Sequence, residues 1–251
     1  MSKIKLSDIS TDAPEGMEKK AVKAITKEIV DELDGLQNRL YAEHKHSILI
    51  ILQGMDASGK DGLIRKVLGN MNPQGVNVRS FKAPTEEEME HDFLWRIHRF
   101  TPAKGMIQVF NRSHYEDILI QRVHKWIDDK TAEKRMRAIN DFERLLTEHN
   151  NTTILKFYLH ISREEQAVRL QERLENPTKM WKYNKSDSTE AELWDDYREM
   201  YQEAIEKCND VKWIIVPSDK NWYKEYVVAE TLRDTLRSFD MKYPTLEEVN
   251  G

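Results

Sequence analysis

Apolar residues recur at three- and four-residue intervals through Ala21, Ile25, Ile29, Leu33, Leu36 and Leu40, the spacing that lays one face of a helix against a core. The period then changes. Ser47 to Gln53 is a continuous apolar run, too short for a helix and rich in β-branched residues, which predicts a strand buried on both faces. Similar short runs follow at Val76–Phe81, Gly105–Phe110, Thr153–Leu159 and Lys212–Val216, each leading into a helix-like segment. Strands alternating with helices predict an α/β fold whose parallel sheet is covered on both faces and binds ligands beyond the carboxyl ends of its strands. Two long polar helices are expected over Thr131–Asn150 and Thr189–Asn209, with no internal repeat or low-complexity stretch.

Composition narrows the partners more than the fold. Lys+Arg 39 against Asp+Glu 44 gives a formal charge of -5, so nothing in the total calls for nucleic acid or an acidic membrane, and any basic site must be local. The single Cys208 can form neither an intramolecular disulfide nor a zinc site alone, and its simplest reading is a helix residue in a reducing compartment. No apolar run has signal-peptide length in the first forty residues or approaches the about 18 residues of a membrane span, so a soluble cytoplasmic protein is expected. The 251 residues read as an N-terminal extension with an amphipathic helix (1–45), one main domain (46–240) and a C-terminal tail (241–251).

Directly after the first strand comes Gly54-Met55-Asp56-Ala57-Ser58-Gly59-Lys60, with a helix expected to start near Asp61. This matches G-x-x-x-x-G-K between a strand and a helix, the context that gives the motif meaning. Glycines allow a tight turn with inward-facing amides, the helix N-terminus adds positive partial charge, and Lys60 adds a mobile cation, all suited to linked phosphates. A plain glycine turn is the bland alternative. The hydroxyl residue that usually follows the lysine is replaced by Asp61, and a second carboxylate, Asp56, lies inside the loop. Carboxylates tolerate phosphate only with a cation between them, which assigns Asp56 to Mg²⁺, or Mn²⁺ in its place, and leaves Asp61 open between a phosphate-site residue and a simple first-turn charge.

The third strand runs into Phe110-Asn111-Arg112-Ser113-His114-Tyr115-Glu116-Asp117, where polar and charged groups crowd the carboxyl edge of the sheet. A metal ligand and a phosphate-binding arginine belong there, although a capped, solvated loop would look alike. His114 stands beside Arg112 but is not needed as a nucleophile. The segments Gly54–Gly62 and Phe110–Asp117 together closely resemble the two signatures of the polyphosphate kinase 2 family. Later stretches at His160–Gln166, Asn176–Lys182, Trp194–Tyr197 and Ile215–Trp222 are similar to further landmarks of that family, so the resemblance spans about Leu36 to Leu236.

The resemblance implies a three-layer α/β/α P-loop kinase fold, thymidylate-kinase-like, with a helical lid over about residues 163–190. It also implies phosphoryl transfer between inorganic polyphosphate and adenine or guanine nucleotides with Mg²⁺. The family's loop aspartate falls on Asp56, its phosphate lysine on Lys60 and the arginine of its second signature on Arg112. Where many relatives have Asp this chain has Asn111, and Glu116 is expected to replace it as catalytic residue and metal ligand; a glutamate there resembles the subgroup accepting both AMP and ADP. Gly54, Met55, Ala57, Ser58, Gly59 and Asp61 complete the expected phosphate loop.

Basic residues between Arg163 and Lys185 gather around Pro177, which interrupts the helical pattern and marks a segment able to close over phosphates. Arg173, Lys179 and Lys182 are the expected phosphate contacts, while Arg169 is left between the lid and a solvated helix face. Lys82, after the second strand, is a further phosphate candidate, ahead of Arg65, Lys66 and Arg79; Phe81 and Trp181 are open between base stacking and packing. The expected partners are polyphosphate and nucleotides, with neither nucleic acid nor membrane, and the family resemblance together with the amphipathic N-terminal helix suggests self-association, so a homo-oligomer, dimer or tetramer, is expected. The alternatives are an ATP-dependent nucleoside monophosphate kinase and a nucleotide-binding switch without turnover.

Overall fold

The computed structural model describes residues 4–250, so residues 1–3 of the expected extension and residue 251 of the tail lie outside the described residues. Five parallel strands, β1 (Ser47–Gln53), β2 (Val76–Ser80), β3 (Ile107–Asn111), β4 (Thr152–His160) and β5 (Trp213–Pro217), pair in the order β2-β3-β1-β4-β5. Each lies within two residues of its expected place. β1 is buried along its whole length because the strand order puts it at the centre of the sheet.

The two-residue period of β1 divides the core into two halves. Leu49 and Ile51 join Met136, Ile139 and Phe142 of the helix Asp129–Asn150 and Tyr201, Ala204 and Ile205 of the helix Trp194–Lys207. Ile48, Ile50 and Leu52 join Ile29, Leu33, Leu36 and Leu40 of the helix Lys19–Glu43 and Val228, Leu232 and Leu236 of the helix Asn221–Ser238. Helices on both faces of one parallel sheet make the three-layer architecture.

Two local expectations are corrected. In the N-terminal helix Val22 is buried at 4% while Ile25 is 45% exposed and Ala21 is exposed, because the covered stripe runs through Val22, Ile29, Leu33, Leu36 and Leu40. That stripe is covered by the helix Asn221–Ser238 of the same chain, so its amphipathic pattern no longer argues for self-association. The single helix expected over Thr189–Asn209 is two, Ser186–Glu192 and Trp194–Lys207, separated at Leu193, whose ψ of 21° leaves the helical range. Cys208 is the buried residue closing the second of these. No helix among the described residues is long and apolar enough to cross a membrane.

Candidate active site

β1 delivers the chain into residues 54–60, and the helix Lys60–Val67 begins one residue earlier than expected. Gly54 and Gly59 carry φ of 153° and 95°, and a Cβ on Gly54 would stand 2.8 Å from Leu159 O, so glycine is required there by both conformation and space. Ala57 adopts φ of 60°, an uncommon value that bends the loop further. Ser58 N–H donates to Met55 O at 3.2 Å and Gly54 N–H to the Tyr201 hydroxyl at 3.2 Å. Lys60 folds back into the turn, donating through Nζ to Gly54 O (2.8 Å), Met55 O (3.2 Å) and Ser58 Oγ (3.4 Å). Burial, with Arg112 close by, pushes its ammonium down to about 8.

β3 runs beside β1, so its carboxyl end brings the second polar segment against the loop. Arg112, with φ of 61°, reaches between two carboxylates, donating to Asp56 Oδ1 and, at 3.2 Å, to Glu116 Oε2. Glu116 is the main cause holding the guanidinium firmly charged. Burial pushes the Asp56 carboxyl up, but Arg112 and Lys60 outweigh it and hold Asp56 below the ordinary carboxylate value. Gln53 fits with its amide nitrogen 3.0 Å from Glu116 Oε1 and its oxygen accepting from the Ser113 hydroxyl (3.0 Å) and amide (3.2 Å), which ties Glu116 to the strand carrying the loop. His114 points into the core near Glu143.

Asp56 and Glu116 meet one guanidinium, so a single cation can reach both. No group of three acidic, His or Cys ligands is found among the described residues, and a two-carboxylate set suits Mg²⁺, which takes its remaining ligands from water and phosphate. Asp61 accepts from Asn111 Nδ2 (2.8 Å) and Lys182 Nζ (3.0 Å), so toward phosphate it can offer only its backbone amide. Asn111 and Lys182 outweigh burial and hold its carboxyl below the ordinary value.

The segment expected as a lid consists of the helix Arg163–Glu175, a short turn at Met180–Lys182 and the helix Ser186–Glu192. Its three expected phosphate contacts are paired with carboxylates: Arg173 with Asp187 (2.7 Å), Lys179 with Glu172, and Lys182 with Asp61. Arg173 is still near enough to lower the Asp56 carboxyl. Lys82 is exposed past the edge strand β2, two strands from the loop. Phe81 is buried edge-on against Phe110 and Phe100 and is core, whereas Trp181 is 76% exposed.

A cleft between the loop and the second lid helix is lined by Asp56, Arg112, Glu116, Gln166, Glu190, Trp194, Tyr197 and Tyr201. Glu190 accepts from the Tyr197 hydroxyl at 2.6 Å and faces His124 Nε2 at 2.9 Å. Glu190 and Tyr201 escaped the sequence reading because single polar residues on charged helices carry no local signal, and Gln166 stood only as the end of a landmark of the resemblance. Trp194 and Tyr197 stood only as landmarks of the resemblance. Behind the second segment lies another missed group: Lys156 on β4 donates to Glu143 Oε2 (2.7 Å), the Tyr115 hydroxyl (2.9 Å) and Cys208 O (2.9 Å), all out of solvent.

A parallel sheet of this order, with a glycine loop and lysine after its central strand and a basic lid above, defines a P-loop kinase fold. The chain belongs to the polyphosphate kinase 2 family, whose model, Polyphosphate kinase 2 (PPK2), matches residues 16–244. It is 46% identical over 242 residues to an AMP/ADP-polyphosphate phosphotransferase of Meiothermus ruber, covering 96% of this chain and 90% of that protein. An ADP-polyphosphate phosphotransferase of Rhodopseudomonas palustris is 42% identical over 229 residues, 86% of this chain and 79% of the relative. The crystal structure of polyphosphate kinase 2 from Arthrobacter aurescens TC1 superposes with a TM-score of 0.94 at 43% identity, covering 98% of this chain and 89% of that one.

Proposed function

We propose that this chain is a polyphosphate-dependent nucleotide kinase, moving a phosphoryl group between inorganic polyphosphate and AMP or ADP to form ADP or ATP, reversibly. The observation that carries it is the meeting of Lys60, Arg112, Asp56 and Glu116 at the ends of two adjacent strands. Near-equal phosphoanhydrides on both sides leave the direction to concentrations. The terminal phosphoryl lies in the loop amides beside Lys60, Arg112 faces the charge that develops in transfer, and the nucleotide phosphate attacks in line. Asp56 and Glu116 would hold Mg²⁺ or Mn²⁺, which supplies neutralising charge to phosphate oxygens. Arg173, Lys179 and Lys182 exchange their carboxylate partners for phosphate as the lid closes, and Lys82 extends the track. Acceptance of both AMP and ADP follows from Glu116 and from the name of the Meiothermus ruber relative. A cytoplasmic, homo-oligomeric enzyme, dimer or tetramer, completes the proposal; the assembly rests on the family resemblance and is measured by sedimentation.

Purified protein with long-chain polyphosphate, Mg²⁺ and ADP, and in parallel AMP, should yield ATP and ADP. Phosphorylation of AMP from ATP alone, or binding without product, refutes the proposal. Asp56→Asn and Lys60→Ala should each lose at least about 100-fold in kcat with the far-UV circular dichroism unchanged.

A further inference from the structure

The phosphate loop is held from behind as well as from within. Arg169 Nη1 donates to the carbonyls of Ala57 (3.1 Å) and Ser58 (3.2 Å), and Lys224 Nζ donates to Ser58 O at 2.7 Å. Ser58 O thus receives two cationic donors. A trans peptide unit is planar, with its C=O and N–H on opposite edges, so fixing Ser58 O fixes the direction of the Gly59 N–H. That amide opens the helix carrying Lys60, where the phosphate is bound.

Both cations are locked in place. Arg169 Nη2 donates to Ser218 O (2.8 Å) and Asp219 O (2.9 Å), and its Nε to Glu165 (2.8 Å). The loop receiving it is pinned by the N-terminal segment, since Thr11 Oγ1 donates to Asp219 Oδ2 at 2.7 Å and Asp219 N–H to Thr11 O at 3.0 Å. Lys224 is 1% exposed, donates also to Asn221 Oδ1 at 2.9 Å, and presses so closely on the loop that a Cβ on Gly59 would collide with its ammonium. Its two acceptors, a carbonyl and an amide oxygen, are neutral. Burial, then Arg169, push that ammonium down to about 7. Glu225 and Glu165 face the ammonium but do not offset burial and Arg169, and a polyanion in the loop would add the negative charge that does.

We propose that Arg169 and Lys224 are positioning residues of the phosphate loop: they hold the Ser58–Gly59 peptide plane so that its amide faces the bound phosphate, without touching substrate themselves. Arg169 is then neither a lid contact nor a solvated helix residue. The proposal deepens the functional reading above, because it rests on residues 54–60 being the phosphate cradle.

The test uses the full chain, long-chain polyphosphate as titrant and three readouts: Kd, kcat and the slope of log Kd against log salt. Lys224→Met and Arg169→Met should each weaken polyphosphate binding about tenfold and lower kcat about 100-fold, as when a preorganised amide donor is lost. The salt slope, which counts cations in direct contact with a polyanion, should stay at the wild-type value in both and fall by about one in Lys60→Met. Asn221→Ala removes the second acceptor of Lys224 while leaving its bond to Ser58 O and should move Kd about threefold the same way, so it carries the test if the buried variants fail to fold. Wild-type Kd and kcat, a loss confined to the unfolding midpoint, or a salt slope lowered as in Lys60→Met would each overturn the proposal. If wild type binds ATP and not polyphosphate, the functional reading fails instead, and the brace is judged by the same three readouts on ATP.

Discussion

Replacing Lys156 by Met tests whether a buried ion pair supports the polar segment at the end of β3. Lys156 and Glu143 are both 0% exposed, and the ammonium makes three hydrogen bonds, to Glu143, Tyr115 and Cys208 O. Met keeps the volume of the stem but leaves the Glu143 carboxylate with only Tyr115 and His114. Stranding one partner of a buried pair costs about 3–5 kcal/mol, which moves the urea midpoint by roughly 1–2.5 M at a slope of about 2–3 kcal/mol/M. Burial pushes the Glu143 carboxyl up, but His114 and Lys156 outweigh it and hold its folded value below the ordinary 4.5. Such a depressed carboxylate contributes stability above the unfolded value and loses it as pH falls through the folded one. In Lys156→Met the Glu143 carboxylate loses one of the groups that hold it down and protonates at higher pH than in wild type, so the difference between the two should shrink as pH falls from 7 toward the wild-type folded value. The double variant Glu143→Gln, Lys156→Met should recover part of the loss, because no uncompensated charge remains. Urea unfolding followed by tryptophan fluorescence at several pH values measures all of this. A single-variant cost under about 1 kcal/mol, or one independent of pH, would refute the reasoning.

Two further predictions concern the lid and the proton balance of the loop. The Lys182–Asp61 pair spans 3.0 Å at the surface, so Lys182→Ala should change stability by less than about 1 kcal/mol while raising KM for polyphosphate about tenfold; an unchanged KM removes Lys182 from the lid. Lys224, at about 7 before a polyanion arrives and higher afterwards, should take up a proton on binding, so that affinity falls as pH rises above 7. Arg169, Lys60, Glu165 and Glu225 are the charges that face it. Calorimetry at pH 8 in buffers of different ionisation heat should show less uptake in Lys224→Met than in wild type, and equal uptake would refute the assignment.

What the sequence disclosed follows from how local each signal is. β1 and residues 54–60 were legible because a buried run, two glycines and a lysine sit within fourteen residues, and the motif carries its own geometry. Arg112 and Glu116 were legible as candidates because the end of a strand next to the loop is where ligand-facing groups collect. Their joint contact with Asp56 was not, since it depends on the β1–β3 register. Arg169 shows the limit of periodicity: helical spacing allowed either a lid cation or a solvated one, and only the packing of the helix against residues 57–58 and 218–219 shows a third use. Lys224 and Lys156 gave no signal at all. A lysine among apolar neighbours is readable as buried only once its acceptors, 166 and 13 residues away in sequence, are in place.

The cations around the loop fall into two energetic groups, and the division orders the events of binding. Lys182 and Lys179 hold exposed carboxylates, pairs worth about 0–1 kcal/mol, so exchanging Asp61 or Glu172 for a phosphate oxygen meets little resistance. Arg169 and Lys224 share the carbonyl of the fully buried Ser58, and pulling either away would weaken that contact at a higher cost, while Arg112, 36% exposed, and its partner Asp56, 28% exposed, lie between the two groups. A phosphate chain entering the cleft therefore meets a loop braced by Arg169 and Lys224 and recruits Lys182 and Lys179 most cheaply, whereas Arg173, whose partner Asp187 is 8% exposed, gives up its pair at greater cost. Rigidity at the bond being transferred and mobility over the rest of the chain are thus set by burial: the same residue types, a few ångströms nearer to water, become the part that closes.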